Sequence, residues 1–239
     1  MHNLKTNITQ ILNDKHNQDF NTALDIYENE YSHNDLISFL KNGTVAQKQA
    51  AALKLDTVKT KEEAEIFMSN LTGCDGKIRE AVSFRLKEFI PQNPDFYTEF
   101  QDTILAALID INGNICRNML CAIHPLKKYP EFYVDFSSKL VENTKPIIEK
   151  VNKFDIQDGK YKINKEVFKL YWYLETIYEF SELIDINSLK TIISKTKNIP
   201  DYTIREKTAK ILSKIQNDKD LLTIKQELKK DQNYYVRRY

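Results

Sequence analysis

Apolar side chains return along this chain at helical spacing, and each run starts shortly after an Asp or Asn. The starting points are Asn42-Gly43-Thr44-Val45, Asp75-Gly76-Lys77-Ile78 and Asn112-Gly113-Asn114-Ile115. A weaker one is Asp158-Gly159-Lys160-Tyr161, and Asp201-Tyr202-Thr203-Ile204 keeps the frame without glycine. With the Asp or Asn as zero and 100° per residue, the apolar set falls at positions 3, 7, 10 and 11. It reads Ile78, Val82, Arg85 and Leu86 in the second copy, and Ile115, Met119, Ala122 and Ile123 in the third. The fifth gives Ile204, Thr208, Ile211 and Leu212. Arg85 departs from the pattern and is expected at the edge of the core, its stem buried and its head in water.

The copies are 33, 37, 46 and 43 residues apart, the spacing of a repeat architecture. Asn-Gly and Asp-Gly also start β-hairpins. The helix formers that follow, such as Ala50-Ala51-Ala52-Leu53 and Arg79-Glu80-Ala81-Val82, lack the two-residue alternation a hairpin needs. The Asp or Asn therefore reads as an N-cap, its side-chain oxygen accepting an orphan backbone N–H. Thr60 with Glu63 has capping-box spacing, and Asn93-Pro94 reads as a cap followed by proline, opening a helix to about Ile109. Helix pairs are expected at 34–56, 60–90, 94–125, 130–182 and 187–216. A leading helical segment precedes them at 3–31, and a last helix at 218–230 leads into the start of another at Asn233. No low-complexity linker divides them, so the expectation is a single domain over 1–239 whose first 33 residues cap the repeats.

Positions 2, 5, 9 and 12 form the opposite stripe. They read Thr44, Gln47, Ala51, Lys54, then Lys77, Glu80, Phe84, Lys87, then Asn114, Arg117, Cys121, His124, and last Thr203, Glu206, Lys210, Ser213. The stripe changes chemistry from copy to copy while the core face stays apolar. Phe84 stands out as a large apolar side chain on the polar side.

The run Asp75-Gly76-Lys77-Ile78-Arg79-Glu80-Ala81-Val82-Ser83-Phe84-Arg85-Leu86 resembles the second helix of HEAT repeats, which begins Asp-x-x-Val-Arg. Asp201-Tyr202-Thr203-Ile204-Arg205-Glu206 is similar at its start, and Val236-Arg237 echoes it. The resemblance covers 34–239, with an irregular stretch at 126–186. It implies an all-α, right-handed α-solenoid of antiparallel helix pairs, about five to six repeats. It also implies a polar ladder between repeats from Asp75, Arg79, Asp201 and Arg205, and second helices that line a concave partner-binding surface. Ala46 and Cys116 stand where the first and third copies would carry the ladder arginine. Tetratricopeptide repeats fit less well, since their tryptophan–glycine–tyrosine spacing is missing.

Composition adds limits. Hydrophobic residues make up 41% and charged ones 29%, which suits a folded domain rather than a disordered one. Residues 1–15 lack a signal-peptide apolar run, and the aliphatic run Ile104 to Ile109 is too short to span a bilayer. Three cysteines without framework spacing fit free thiols in a reducing, cytoplasmic compartment. The net charge of +1 conceals −4 over residues 1–40 and +7 over 187–239, an asymmetry read first as a solvated face.

Candidate chemistry is sparse. Cys116, Cys121 and His124 share one helix, but structural zinc favours Cys-x2-Cys pairs and four ligands, so no metal is expected. Phe168, Tyr171, Trp172, Tyr173, Tyr178 and Phe180 crowd another helix. Burial on both of its sides is the favoured reading, against an aromatic groove with carboxylates that takes a basic or amphipathic peptide. No phosphate loop, nucleophile elbow or His-Glu-x-x-His motif is present, so no cofactor is expected.

The leading expectation is a non-enzymatic scaffold that binds a protein partner, without a membrane, through Lys77, Phe84, Lys87, Arg117, Cys121, His124 and Lys210. The alternative is a nucleic-acid enzyme similar to the HEAT-like alkylpurine DNA glycosylases, using the basic C-terminal part. That family places a catalytic aspartate near aromatics, whereas Trp172 here is followed by Tyr-Leu-Glu.

Overall fold

The structure, a computed structural model, describes residues 2–154 and 160–239, with side chains described over 15–154 and 163–239. Asp158 and Gly159 of the fourth turn lie outside the described residues, as does the Tyr161 side chain. Among the described residues every regular element is helical, and there is no strand. The α-helices are α1 (His2–Glu28), α2 (His33–Asn42), α3 (Val45–Lys54), α4 (Lys61–Ser69), α5 (Gly76–Gln92), α6 (Gln101–Ala107) and α7 (Gly113–Ala122). They continue with α8 (Pro130–Asn152), α9 (Lys160–Phe180), α10 (Ile186–Thr196), α11 (Tyr202–Ser213), α12 (Lys219–Leu228) and α13 (Tyr234–Arg237). No helix among the described residues is long and apolar enough to cross a membrane.

The chain divides into two compact units, Met1–Tyr97 and Thr98–Tyr239. In the first, α3 packs on its neighbour α2 and also on α1 and α5, while α2 packs on α4. In the second, α8 meets α6 and α10, and α10 meets α12; in the other row α11 meets α9 and α13. Within each unit, then, helices meet partners two places along the chain, and α2 with α3, α6 with α7, α8 with α9 and α10 with α11 meet as neighbours. That is how amphipathic helices in consecutive pairs share one buried face.

The caps explain the frame. Asp75, Asn112 and Asp201 are N-caps, their Oδ1 atoms accepting from the N–H of Lys77 (2.8 Å), Asn114 (2.9 Å) and Thr203 (2.8 Å). Asn233 repeats this with Tyr235 at 2.9 Å and opens α13. The expected core follows from them: Ile78, Val82 and Leu86, then Ile115, Met119, Ala122 and Ile123, then Ile204, Thr208, Ile211 and Leu212 are all buried. Ala81, Ser83, Lys207 and Ala209 are buried as well, so the face is broader than four positions. A helix flanked on both sides within its row needs that wider stripe.

The first copy has to be corrected. Asn42 ends α2, and Gly43 follows it with its N–H donating to Phe39 O at 2.8 Å. The N-cap of α3 is Thr44, two residues later, in a capping box: its Oγ1 accepts from Gln47 N–H, and its own N–H donates to Gln47 Oε1 at 2.9 Å. Counted from Asn42 the apolar face fails, because Val45 is exposed and Ala51 buried. Counted from Thr44 it shares positions 6, 7, 8 and 11 with α5 and α11, burying Ala50, Ala51, Ala52 and Leu55, while Gln47 at position 3 is only half-buried. Gly43 is needed for the close turn, since a Cβ there would lie 2.5 Å from Phe39 O and 2.8 Å from Gln47 Cβ.

Two other expectations change. The helix from Asn93 to Ile109 is broken into a 3₁₀ turn, Pro94–Tyr97, and α6, with Tyr97 fully buried at the turn. Arg85 does not hold its head in water. Its side chain is 15% exposed, and Nη2 donates to Leu55 O at 2.6 Å while Nη1 meets Glu88. That carbonyl ends α3, so the guanidinium satisfies an orphan acceptor at a helix C-terminus. Within 126–186, α8 and α9 are longer than the helices around them.

Candidate functional site

Position 4 after each N-cap holds structure. Arg79 donates to Cys74 O, one residue before its cap. Arg205 Nη1 donates to Pro200 O at 2.7 Å and Ile199 O at 2.8 Å, and Arg237 Nη1 donates to Gln232 O at 2.7 Å and Asp231 O at 3.2 Å. Cys116 fills the same place in α7, its thiol 3.2 Å from Asp110 O, and burial pushes its pKa up to about 12. In the corrected frame, Lys48 rather than Ala46 takes this position in α3, and its Nζ reaches Asn70 Oδ1 at 3.0 Å.

The ladder partners are not the N-cap aspartates. Asp75 and Asp201 spend Oδ1 on their own helix starts. Arg205 pairs with Asp231, Nε to Oδ2 at 2.7 Å and Nη2 to Oδ1 at 3.2 Å, in the loop ahead of α13. The side chains are 18% and 10% exposed, and the Arg205 hydrogen bonds hold Asp231 below the usual carboxylate range.

The stripe residues divide by environment. In α5, Lys77 is exposed, and Phe84 is 45% exposed with the Lys87 ammonium 4.3 Å above its ring. In the first copy, Ala51 is buried and Lys54 turns back to the end of α1, donating to Ile26 O at 2.6 Å and Asn29 O at 2.5 Å. In the second unit, Arg117, Cys121 and His124 are exposed. Cys121 faces solvent while Cys116 is buried, and among the described residues no three His, Cys, Asp or Glu side chains converge to hold a metal ion.

Lys210 belongs to a cluster that single-helix reasoning missed. Glu175 of α9 accepts from Lys210 at 2.5 Å, and its other oxygen is ion-paired with Lys207 at 2.8 Å, both lysines on α11. The Lys207 ammonium lies 4.4 Å from the Tyr171 ring, and those of Lys210 and Lys214 each lie 4.1 Å from Tyr178. Burial works against the Glu175 charge, but the two lysines outweigh it and hold its pKa below the ordinary value. Burial likewise opposes the charge on Lys207, and Glu175 and Tyr171 reverse the balance, raising its pKa. The available signal was spacing: Tyr171, Glu175 and Tyr178 fall on one helical face, as do Lys207, Lys210 and Lys214.

The aromatic helix is mainly core. Leu170, Trp172, Tyr173, Leu174, Ile177 and Phe180 are buried, leaving Phe168, Tyr171 and Tyr178 partly open. Several basic side chains of 187–239 are ion-paired, mostly with acids of the same stretch, which leaves its positive balance in place. Lys190 pairs with Asp218 (2.7 Å) and Asp220 (3.0 Å), Lys197 with Glu227 (2.6 Å) and Arg238 with Glu206 (2.7 Å), besides Arg205, Lys207 and Lys210.

A small cleft in the second unit, about 220 Å³, is lined by Ile109 and Ile111 of the turn before α7 and by Asn164, Lys165, Phe168 and Lys169 of α9. No family model, curated protein or solved structure matches this chain.

Proposed function

We propose that this chain is an interaction scaffold: a HEAT-like, right-handed α-solenoid of helix pairs whose second helices bind a segment of a protein partner, in a cytoplasmic setting. The observation that carries the reading is the shared frame of α3, α5, α7 and α11. From each N-cap positions 7 and 11 are buried, and the residue at position 4 folds back on a preceding carbonyl or reaches the next pair. Only the stripe between these two sets is left to vary. Phe84 with Lys87, and Arg117 with Cys121, are its outward-facing members. A half-exposed aromatic ring beneath an ammonium is the kind of anchor that interfaces use.

The test is site-specific photo-crosslinking in native lysate. A photoreactive phenylalanine analogue is placed at Phe84, at Arg117 and, as a control, at Val134, which is 62% exposed on α8. A discrete protein adduct is expected at 84 or 117 and not at 134, and Phe84→Ala should weaken recovery of the partner. Adducts confined to 134, or adducts to nucleic acid at 84 and 117, would contradict the scaffold.

A further inference from the structure

The first helices α10 and α12 pack side by side and turn a second kind of face outward. Leu189, Ile192, Ile193 and Thr196 are buried in α10, and Leu221 and Leu228 in α12. At 100° per residue, the side opposite these is Asn187, Thr191, Ser194 and Asn198 on α10. On α12 and the turn after it, that side is Lys219, Thr223, Gln226 and Lys230. All eight residues are exposed. Lys190 meets Asp220 and Lys197 meets Glu227, each 30 residues on, so the two helices run parallel and in step.

The charge of this face is positive after every acid is counted. The two helices with their caps and following turns carry Asp185, Asp218, Asp220, Glu227 and Asp231. Against these five acids stand seven lysines and Arg205, which holds Asp231, a balance of +3. The acids are also occupied. Lys190 takes Asp218 and Asp220, Lys197 takes Glu227, and Asp185 caps α10. Lys195, Lys219, Lys225, Lys229 and Lys230 have no ion-pair partner among the described residues. No acid stands in either outward row.

The side chains beside the lysines select the occupant. Neither helix carries an aromatic residue, and their exposed large apolar side chains are only Ile186 and Leu222. A protein interface is built on aromatic and apolar anchors and is poor in lysine. A membrane surface asks for a continuous apolar face, and single-stranded nucleic acid for stacking rings. Thr191, Ser194 and Thr223 donate their hydroxyls to carbonyls of their own helices. The outward donors are then the amides of Asn187, Asn198 and Gln226 and the lysine ammonium groups. Such donors, carried on firm helices, suit phosphate oxygens and read no base. Lys219 and Lys230 stand about 16 Å apart along the axis, the span of about five successive phosphates of one duplex strand.

We infer that the outward face of α10 and α12 binds the phosphate backbone of a nucleic-acid duplex, without reading its sequence. The inference goes beyond the scaffold reading and is separate from it, since the scaffold uses the second helices.

The experiment measures fluorescence anisotropy of labelled random-sequence duplexes, DNA in one arm and RNA in the other, with the full chain over a range of salt. Binding of at least one duplex is expected, falling as salt rises. Lys219→Gln with Lys229→Gln and Lys230→Gln should weaken it by about tenfold or more at low salt and flatten the log–log salt slope by about 3. A control of equal charge change replaces Lys128, Lys150 and Lys153, exposed lysines of the same unit, by Gln. It should cost less than half as much on the logarithmic scale. Circular dichroism checks each fold. Lys230→Gln alone, expected to flatten the slope by about 1, replaces the triple variant if that does not fold. No binding at low salt, or a loss as large in the control, would overturn the inference. Tighter binding of polyglutamate or of phosphatidylserine vesicles, lost with the same three lysines, would assign the face to another polyanion and overturn it too.

Discussion

The helices α3 and α11 hold equivalent places in their units, each flanked by two helices of its own row, yet different chemistry ties them down. In α3 the residue at position 4 is Lys48, which meets a neutral acceptor, Asn70 Oδ1. Asn70 is itself buried and donates to Leu40 O and Ile66 O. In α11 the same position is Arg205, which meets the Asp231 carboxylate with two nitrogens and two backbone carbonyls with a third. The difference teaches that the position is fixed by geometry and its chemistry is free. Different donors can close the gap, but only the second solution sets a carboxylate partly out of water, so only there does removing the donor strand one.

The largest expected effect follows from that contrast. Arg205→Ala should cost about 3 kcal/mol in urea unfolding, because Asp231 is left partly buried without its partner. Lys48→Ala should cost about 1 kcal/mol, since only a neutral amide oxygen loses a donor. The two also differ in acid. The folded-state pKa of Asp231 is lowered, so its contribution is present above the ordinary carboxylate value of about 4 and fades as pH falls through the folded value. The Arg205→Ala deficit should therefore shrink below about pH 4, whereas the Lys48→Ala deficit should show no such step from this pair. Equal deficits with equal pH profiles would erase the distinction.

The glycines sharpen the same comparison at smaller magnitude. Gly43→Ala should cost about 2 kcal/mol, because a Cβ meets the Phe39 carbonyl and forces the turn apart. Gly76→Ala sits at the first residue of α5, where an added Cβ meets nothing within 4 Å. It should be neutral or stabilise by about 0.5 kcal/mol through the unfolded chain. Thermal melts of the two variants read opposite signs. The same sign would mean that the first turn is built like the second after all.

Much of this was legible in the sequence, for local reasons. Asp75, Asn112 and Asp201 cap helices because a short acceptor precedes an apolar period, and both signals sit within a dozen residues. The first turn misled because Asn42 and Thr44 are both good caps. What decides between them is the approach of Gly43 to Phe39 and Gln47, a tertiary fact. Asp231 was not recognised as the partner of Arg205, 26 residues away, and Glu175 stands 35 residues from Lys210. Pairs at that distance meet only once the helices stack. Ile111 did leave a trace: an aliphatic residue between Asp110 and Asn112, in a turn where nothing apolar is needed.

Among the described residues, the buried face and position 4 tie the helices together, while Ile111 stands exposed. The most direct measurement compares urea unfolding of Arg205→Ala and Ile111→Asp under identical conditions. The expected result is a lower midpoint with unchanged slope for Arg205→Ala, and a midpoint within about 0.5 kcal/mol of the unaltered chain for Ile111→Asp, as for an exposed side chain without structural duty. A large loss for Ile111→Asp with little for Arg205→Ala would contradict it, placing stability in the cleft and freeing the ladder.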